Sequence, residues 1–330
     1  EFRRVLFRSG DDNDAGLVTF GTSGPPGDDE NGAILATPML PGTQACFVVN
    51  VMNMTGSAAV LQAWVDFNGN GSFGTDEQLT TGSFASSGAN VPTGTGLANA
   101  QLCFTVPNKA TFTGGNAFVR FRLSPTGGLS ANTQTAPYPF GEIEDHKFPL
   151  AKIGSYVWED VNGNGQQNEP VSEGINGVGI QLIYFGLDGV AGGSGANADV
   201  VYTTTTATMG ANPGQYMFVG LIPGTYQVSV PNNPAGGFIP TFTGQGTPIN
   251  DSNTPVNFTI APNFAGMPTG ENGSGDTPGG TNGFPDTQDN LTFDFGYYIP
   301  AVLGNYIWLD YDKDGQQDSN EPSVDRKSVV

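Results

Sequence analysis

Residues 214–230 read GQYMFVGLIPGTYQVSV, and this stretch decides the class of fold. Tyr216 and Phe218 alternate with other residues, and Tyr226 and Val228 do the same after a Pro-Gly pair. Side chains two positions apart lie on the same face of a strand, and a Pro-Gly pair is typical of a turn. The stretch therefore predicts a strand, a turn and a second strand.

Similar patterns fill the rest of the chain. Short runs rich in Thr, Val and aromatic residues stand between clusters of Gly, Pro and Asn, and no long helical periodicity is visible. The 22 Phe and 10 Tyr residues are too many for a disordered chain. No apolar run approaches the length of a membrane span. The composition predicts an all-β protein with room for two domains and a fragment.

Both ends of the chain look like translated sequencing adapter, EFRRVLFRS at residues 1–9 and DRKSVV at residues 325–330. We set them aside as artefacts and expect the remainder to be an internal piece of a longer protein. That remainder holds 6 basic and 29 acidic residues, a net charge of −23 against −20 for the whole chain. This balance argues against nucleic acid and anionic membranes as partners. It favours a bound cation, which would relieve the self-repulsion.

One acidic pattern occurs three times, each time two residues after a tryptophan. The copies are WVDFNGNGSFGTDE from Trp64, WEDVNGNGQQNEPVSE from Trp158 and WLDYDKDGQQDSNE from Trp308. D-x-[DN]-x-[DN]-G is the pattern of calcium loops, in which the glycine permits a sharp turn around a hard cation. One copy is compatible with a plain turn. Three copies favour Ca²⁺, with the tryptophans packed in the core at strand ends.

We predict calcium ligands in each loop. The first loop would use Asp66, Asn68, Asn70, Ser72 and Glu77. The second would use Asp160, Asn162, Asn164, Gln166 and Glu173. The third would use Asp310, Asp312, Asp314, Gln316 and Glu321. Glu77 and Glu321 occupy the twelfth position, where a bidentate glutamate belongs. Val171 holds that position in the second loop, where glutamates stand at 169 and 173, and we choose Glu173, which precedes GINGV. Residues 153–299 contain 12 acidic residues and no Lys or Arg, so we expect these acids to have no internal cationic partner, which makes a metal ion more necessary.

Residues 151–299 resemble the serine-aspartate-repeat (SdrD) B-like domain, of the Cna protein B-type fold. The G-x-Y-x-F-x-x-L-x-x-G-x-Y-x-V pattern and the calcium loop carry the resemblance. It implies a prealbumin-like β-sandwich of bacterial surface proteins, arranged in tandem and rigidified by calcium. Residues 263–290 are expected to form a long surface loop. Residues 300–324 repeat the start of the domain and predict a second, truncated repeat, poorly ordered in isolation.

Residues 10–150 resemble the GEVED domain, a β-sandwich module of secreted and surface bacterial proteins. An acidic loop, the first W-x-D-x-N-x-N-G loop, VRFRLS at residues 119–124 and GEIED at residues 141–145 carry this resemblance. His146 departs from it, because the family commonly has tyrosine there. The resemblance implies a fold and a compartment more than an activity.

The end of this domain also raises the question of catalysis. His146 is the only histidine, and we expect it at the surface or at a strand end. Glu142 and Glu144 would face the same way on a strand, with Arg120 and Arg122 as counter-charges. A glycosidase-like carboxylate pair is one interpretation, but calcium binding or simple solvation is favoured. We therefore predict no catalytic residue.

Cys46 and Cys103 lie in apolar alternating runs. They form either a disulfide between two strands in an oxidising compartment or two separate buried thiols, and the sequence leaves both alternatives open.

Together these patterns predict tandem β-sandwiches in a non-enzymatic, calcium-binding, extracellular segment of a bacterial adhesin-like protein. We expect it to be monomeric within its array and to act as a rigid stalk or spacer. Two other functions stay open: a binding module for a host protein or glycan, and accessory domains of a secreted hydrolase.

Overall fold

The computed structural model describes residues 32–53, 56–94, 96–131, 142–269, 284–301, 308–313 and 319–321. Regular structure in these ranges consists of β-strands and short 3-10 helices, so the all-β prediction is confirmed. No helix in the same ranges has the length and apolarity that a membrane span requires.

Two antiparallel sheets form the first module. Its strands are β1 (Ala33–Leu35), β2 (Gln44–Val51), β3 (Ala59–Val65), β4 (Ala89–Val91), β5 (Leu97–Thr105), β6 (Asn116–Ser124) and β7 (Glu142–Pro149). Two 3-10 helices, Thr75–Glu77 and Gly82–Phe84, lie between β3 and β4. The sheet orders are β1-β2-β5 and β4-β3-β6-β7. Phe47 of β2 contacts Phe121 of β6 edge to face, with ring centroids 5.1 Å apart, so the sheets pack on one aromatic core.

Cys46 and Cys103 stand opposite each other on β2 and β5 and form a disulfide. The structure thus selects the first of the two alternatives that the sequence leaves open.

The second module contains twelve strands. They are β8 (Ala151–Ile153), β9 (Val157–Glu159), β10 (Gly179–Tyr184), β11 (Val200–Thr205), β12 (Ala207–Met209), β13 (Asn212–Gln215), β14 (Phe218–Leu221), β15 (Gly224–Ser229), β16 (Ile239–Pro240), β17 (Val256–Ile260), β18 (Asp289–Asn290) and β19 (Phe295–Tyr298). Its 3-10 helices are Val171–Glu173, Gly195–Asn197 and Asp286–Gln288. The sheet orders are β11-β10-β15-β17, β14-β8-β18, β16-β19-β9 and β12-β13.

The predicted strand, turn and strand of residues 214–230 are present as β14 and β15, but these two strands do not pair with each other. β14 pairs with β8, whereas β15 pairs with β10 and β17. The Tyr226 hydroxyl accepts a hydrogen bond from the Ile222 amide and donates one to the Ile222 carbonyl. This closed corner carries the chain from one sheet to another instead of closing a hairpin.

The two modules are in direct contact. Only Leu150 separates β7 from β8 in the sequence, and two hydrogen bonds join the modules. The Met39 amide donates to the Gly220 carbonyl at 2.8 Å. The Gln288 side-chain amide donates to the Gly115 carbonyl at 3.1 Å, and this bond is buried. Buried apolar side chains of both modules form one continuous cluster.

Lys152 shows that the second module does contain an internal cation. Its Nζ lies 3.0 Å from Oδ2 of Asp289, and the two side chains are 1% and 0% exposed. The expectation that the acids of this module have no cationic partner is therefore wrong for Asp289. The count of basic residues began at residue 153 and so left out Lys152, which belongs to β8 of this module.

Part of the predicted surface loop is also buried. Phe284 and Asp289 lie inside the protein, and the Phe284 ring stands 5.7 Å from the Lys152 ammonium. The surface prediction is wrong for Phe284, Gln288 and Asp289, whereas Pro285 and Thr287 are exposed. Residues 270–283 lie outside the described residues.

Candidate metal sites

The first and second loops share one local geometry, in which the leading aspartate is buried at a strand end. Asp66 follows β3 and Asp160 follows β9. In each loop the amide of the fifth residue donates to Oδ1 of this aspartate at 3.1 Å. The amide of the sixth residue donates to Oδ2, at 2.8 Å in the first loop and 2.7 Å in the second. The aspartate therefore organises the turn around its own carboxylate.

Two positions of the loop need left-handed backbone. At the sixth position φ is +78° for Gly71 and +76° for Gly165, so the turn that the sequence predicts there is present. The fourth position is also left-handed in all three loops, with φ of +66° at Gly69, +68° at Gly163 and +64° at Lys313. The third loop thus adopts at lysine a conformation that the others reach with glycine.

Glu77 closes the first loop from the 3-10 helix. Its Oε2 accepts a hydrogen bond from the Gly74 amide at 2.8 Å, and the nearby Asn68 amide helps to lower the pKa of this carboxylate. Oε1 is buried and accepts no hydrogen bond within the described part of the chain. Burial raises the pKa of Glu77, the Gly74 amide opposes this shift, and the Asp66 charge adds to it. Two buried carboxylates whose charges raise each other's energy suit a divalent cation.

The structure places Glu169, and not Glu173, against the second loop. Glu169 Oε1 accepts a hydrogen bond from the Asn162 amide at 3.4 Å, and Oε2 accepts one from Asn168 at 3.3 Å. Asn162 is the third loop residue, as Asn68 is in the first loop. Glu173 Oε1 instead accepts a hydrogen bond from the Ser172 hydroxyl. This geometry makes Glu169 a stronger candidate than Glu173 for the closing position of the second loop.

A sequence signal for Glu169 was available. Glu169 and Glu321 are both preceded by asparagine and followed by proline, within NEP. When the two loops are aligned on this tripeptide, the second loop is two residues shorter than the third. Its glutamate therefore comes before the twelfth position, where the pattern predicts it.

Two further residues contact the second loop, and no pattern in the sequence predicts their position there. The Thr241 hydroxyl donates to Oδ2 of Asp160. Asp251 forms a β-bridge with Gln166, and its buried Oδ1 accepts no hydrogen bond from the described residues. Burial raises the pKa of Asp251. Both residues come from segments some 80 positions away, which only the fold brings to the loop.

The other predicted ligands of these loops are more exposed. The Asn68, Asn70, Ser72, Asn162 and Asn164 side chains are exposed, and Gln166 is half-buried. Asn70 Oδ1 accepts hydrogen bonds from both the amide and the hydroxyl of Ser72. The side-chain oxygens of these residues lie on the solvent side of the turn, and the buried carboxylates lie on its inner side.

The described part of the third loop gathers three carboxylates. One oxygen from each of Asp310, Asp312 and Glu321 lies within 4.8 Å of the others. Glu321 is buried and accepts a hydrogen bond from the Tyr311 amide at 2.8 Å. Three carboxylates this close repel one another unless a cation or protons neutralise them. The predicted ligands Asp314 and Gln316 lie outside the described residues.

His146 and Glu144 lie in the core and not at the surface. Both project inward from the middle of β7, and the His146 Nε2 is 3.0 Å from Oε2 of Glu144. His146 also stacks on Phe148. The expected surface position of His146 is therefore wrong, as is the expected counter-charge role of Arg120, which pairs with Asp145 on the opposite face. The Glu142 side chain lies outside the described residues.

Comparison with known families fits this division of the chain. Residues 60–149 match the family model of the GEVED domain, and residues 151–273 match that of the SdrD B-like domain. The chain carries a GEVED domain followed by an SdrD B-like domain. The SdrD B-like domain contains the second loop, and the GEVED domain contains the first.

Curated relatives show the same similarity. The chain is 32% identical over 186 residues to serine-aspartate repeat-containing protein D of Staphylococcus aureus (strain Newman), a match of 56% of this chain and 11% of the relative. It is 33% identical over 185 residues to serine-aspartate repeat-containing protein F of Staphylococcus epidermidis (strain ATCC 12228 / FDA PCI 1200), a match of 55% of this chain and 9% of the relative. The matched region thus spans about a tenth of the length of these relatives.

Proposed function

We propose that this chain is a calcium-stabilised, non-enzymatic extracellular segment of a bacterial surface protein, and that it acts as a rigid spacer. The observation that carries the proposal is the repeated pairing of a leading aspartate with a closing glutamate. Glu77, Glu169 and Glu321 all turn a carboxylate towards their loop and are held there by backbone amides. Calcium takes six to eight oxygen ligands and tolerates such mixed sets.

The first loop lies at the end of the GEVED domain that faces the next module. β3 and β7 both run antiparallel to β6, so the loop after β3 and the exit after β7 share one end of the sheet. The Thr111 amide donates to the Phe67 carbonyl at 2.8 Å, and the Thr113 hydroxyl donates to that of Asn68. A cation there would stiffen the segment that leads to Gly115 at the junction.

The second loop occupies the corresponding end of the SdrD B-like domain. β9 and β19 run parallel, so the loop after β9 lies where the chain leaves β19. The Asp160 amide donates to the Tyr297 carbonyl at 2.7 Å, which ties the loop to the exit strand. A cation bound at each loop would therefore stiffen the end at which the chain leaves each module, and a rigid spacer needs this stiffness.

Extracellular placement is supported by the Cys46–Cys103 disulfide, because such bonds persist in oxidising compartments. The relatives are serine-aspartate repeat-containing proteins, and the SdrD B-like domain of this chain is the part on which the spacer role is proposed.

We expect Glu169→Gln to weaken calcium binding at the second loop by about tenfold, since ligand charge sets the affinity of such sites. The full chain is titrated with calcium by calorimetry. Asp66→Asn and Asp310→Asn are present in every sample, so that the heat comes from the second loop.

Glu173→Gln is the matched control, because this glutamate bonds to Ser172 and not to the loop. It should leave the affinity unchanged. A loss of affinity with Glu173→Gln but not with Glu169→Gln would restore the assignment made from sequence. Absence of calcium heat in the parent chain and in both variants would contradict the proposed function at this loop.

A further inference from the structure

Strand β11 forms an open edge of the four-stranded sheet in the second module. It pairs with β10 on one side only, since the sheet order is β11-β10-β15-β17. Just beyond the paired residues, the Thr206 amide donates to the Val178 carbonyl at 2.9 Å. The direction of hydrogen bonding alternates along an antiparallel strand. Val201, Thr203 and Thr205 therefore turn their amides and carbonyls away from β10.

These outward backbone groups of β11 are unpaired within the described part of the chain. No other described segment donates to, or accepts from, the backbone of Val201, Thr203 or Thr205. The side chains of all three residues are exposed, and that of Val201 is 53% exposed. A row of unpaired amides and carbonyls is a template on which another strand can pair.

Two other strand edges of the protein are protected. In the GEVED domain, the Cys103 and Thr105 amides of edge strand β5 donate to side-chain hydroxyls within residues 81–83. Strand β17, at the opposite edge of the sheet that holds β11, is bounded by Pro255 and Pro262. Proline and charged side chains block pairing at an edge. Strand β11 reads VVYTTT and contains neither.

Charge and symmetry make a second copy of β11 a suitable partner strand. The chain has a formal net charge of −20, so two copies repel each other where acidic surfaces meet. An antiparallel pair centred on Thr203 places Val201 opposite Thr205, and each such pair of outward residues exchanges two hydrogen bonds. Asp199 then lies opposite Ala207, so the acidic residue at the start of one strand does not face that of the other.

We infer that β11 pairs edge to edge with β11 of a second copy of this chain, in an antiparallel, twofold-symmetric contact centred on Thr203. The contact places the two Thr203 side chains next to each other, which is a favourable cross-strand pair. It joins two chains at their sides and leaves the order of modules along each chain unchanged. One strand pair is smaller than a standard interface, so we expect a dissociation constant of about 10⁻⁴ M and a monomer at lower concentrations. The inference depends neither on calcium nor on the spacer role.

Sedimentation equilibrium of the full chain between about 10⁻⁵ and 10⁻³ M tests the inference. Physiological ionic strength screens the repulsion between the chains, and the mean mass should rise towards twice that of the monomer. Thr203→Pro removes the central outward amide, leaves the bonds to β10 intact and should weaken association at least about tenfold. Thr203→Lys keeps the amide but brings two ammonium groups together, and it should weaken association similarly.

Hydrogen exchange gives a second measurement on the unmodified protein. The amides of Val201, Thr203 and Thr205 should exchange severalfold more slowly at high than at low protein concentration. The amides of Asn257 and Thr259 on β17 should not change. Equal exchange of the β11 amides at both concentrations would contradict the pairing.

Thr259→Pro is the matched control, because Thr259 is exposed on the opposite edge of the same sheet and its amide points away from β15. It should leave the association unchanged. A parent chain that stays monomeric at about 10⁻³ M would overturn the inference. So would an equal loss of association in Thr259→Pro and Thr203→Pro, or association that survives both substitutions of Thr203.

Discussion

Replacing Lys152 with Met is expected to lower the free energy of unfolding of the chain by about 3–5 kcal/mol. The substitution removes the cation beside Asp289, whose side chain has no exposed surface, and leaves its charge in a medium of low dielectric. The pair also lies next to the module junction, where Gln288 reaches Gly115. Urea denaturation followed by tryptophan fluorescence measures the change.

Lys147→Met is the control for this experiment, since Lys147 projects outward from β7 and its charge is solvated. It should change the stability by less than about 1 kcal/mol. The double substitution Lys152→Met with Asp289→Leu should recover most of the loss, because no buried charge remains. A Lys152→Met protein as stable as the parent would show that the pair does not support the fold.

Replacing both Cys46 and Cys103 with Ala is expected to cost about 4 kcal/mol. The two residues are 57 positions apart, and a cross-link across such a loop removes much of the entropy of the unfolded chain. The loss should appear in thermal unfolding of the GEVED domain.

Reducing agent supplies the control for the disulfide. It should destabilise the parent protein by a similar amount and have no effect on the double alanine variant. Equal stability of the oxidised parent and the variant would contradict a stabilising disulfide.

Local features of the fold were predictable from the sequence. Alternation in residues 214–230 identifies β14 and β15, because a strand buried on one face imposes period two on its own residues. The choice of sheet is not local. β14 joins β8 and β15 joins β10, contacts that span 42 to 70 residues, and so the pattern could not reveal that the turn crosses between sheets.

The same distinction applies to the candidate sites. The leading aspartates and the sixth-position glycines follow from a pattern of six residues, and in the first two loops Gly71 and Gly165 adopt the expected left-handed turn. Glu169 was not chosen from the sequence because its loop is shorter than the pattern. The burial of His146 and of Lys152 was missed because it depends on strands from distant parts of the chain that cover them.

The most direct test of the calcium proposal is thermal unfolding of the full chain in calcium and in chelator. At a calcium concentration about 100 times the dissociation constant, each occupied site should add about 2.7 kcal/mol to the stability. For sites of the extracellular class, with dissociation constants of about 10⁻⁴–10⁻³ M, this requires at least about 10 mM calcium. We expect a midpoint clearly higher in calcium than in chelator. Coincident unfolding curves would contradict calcium binding at all three loops.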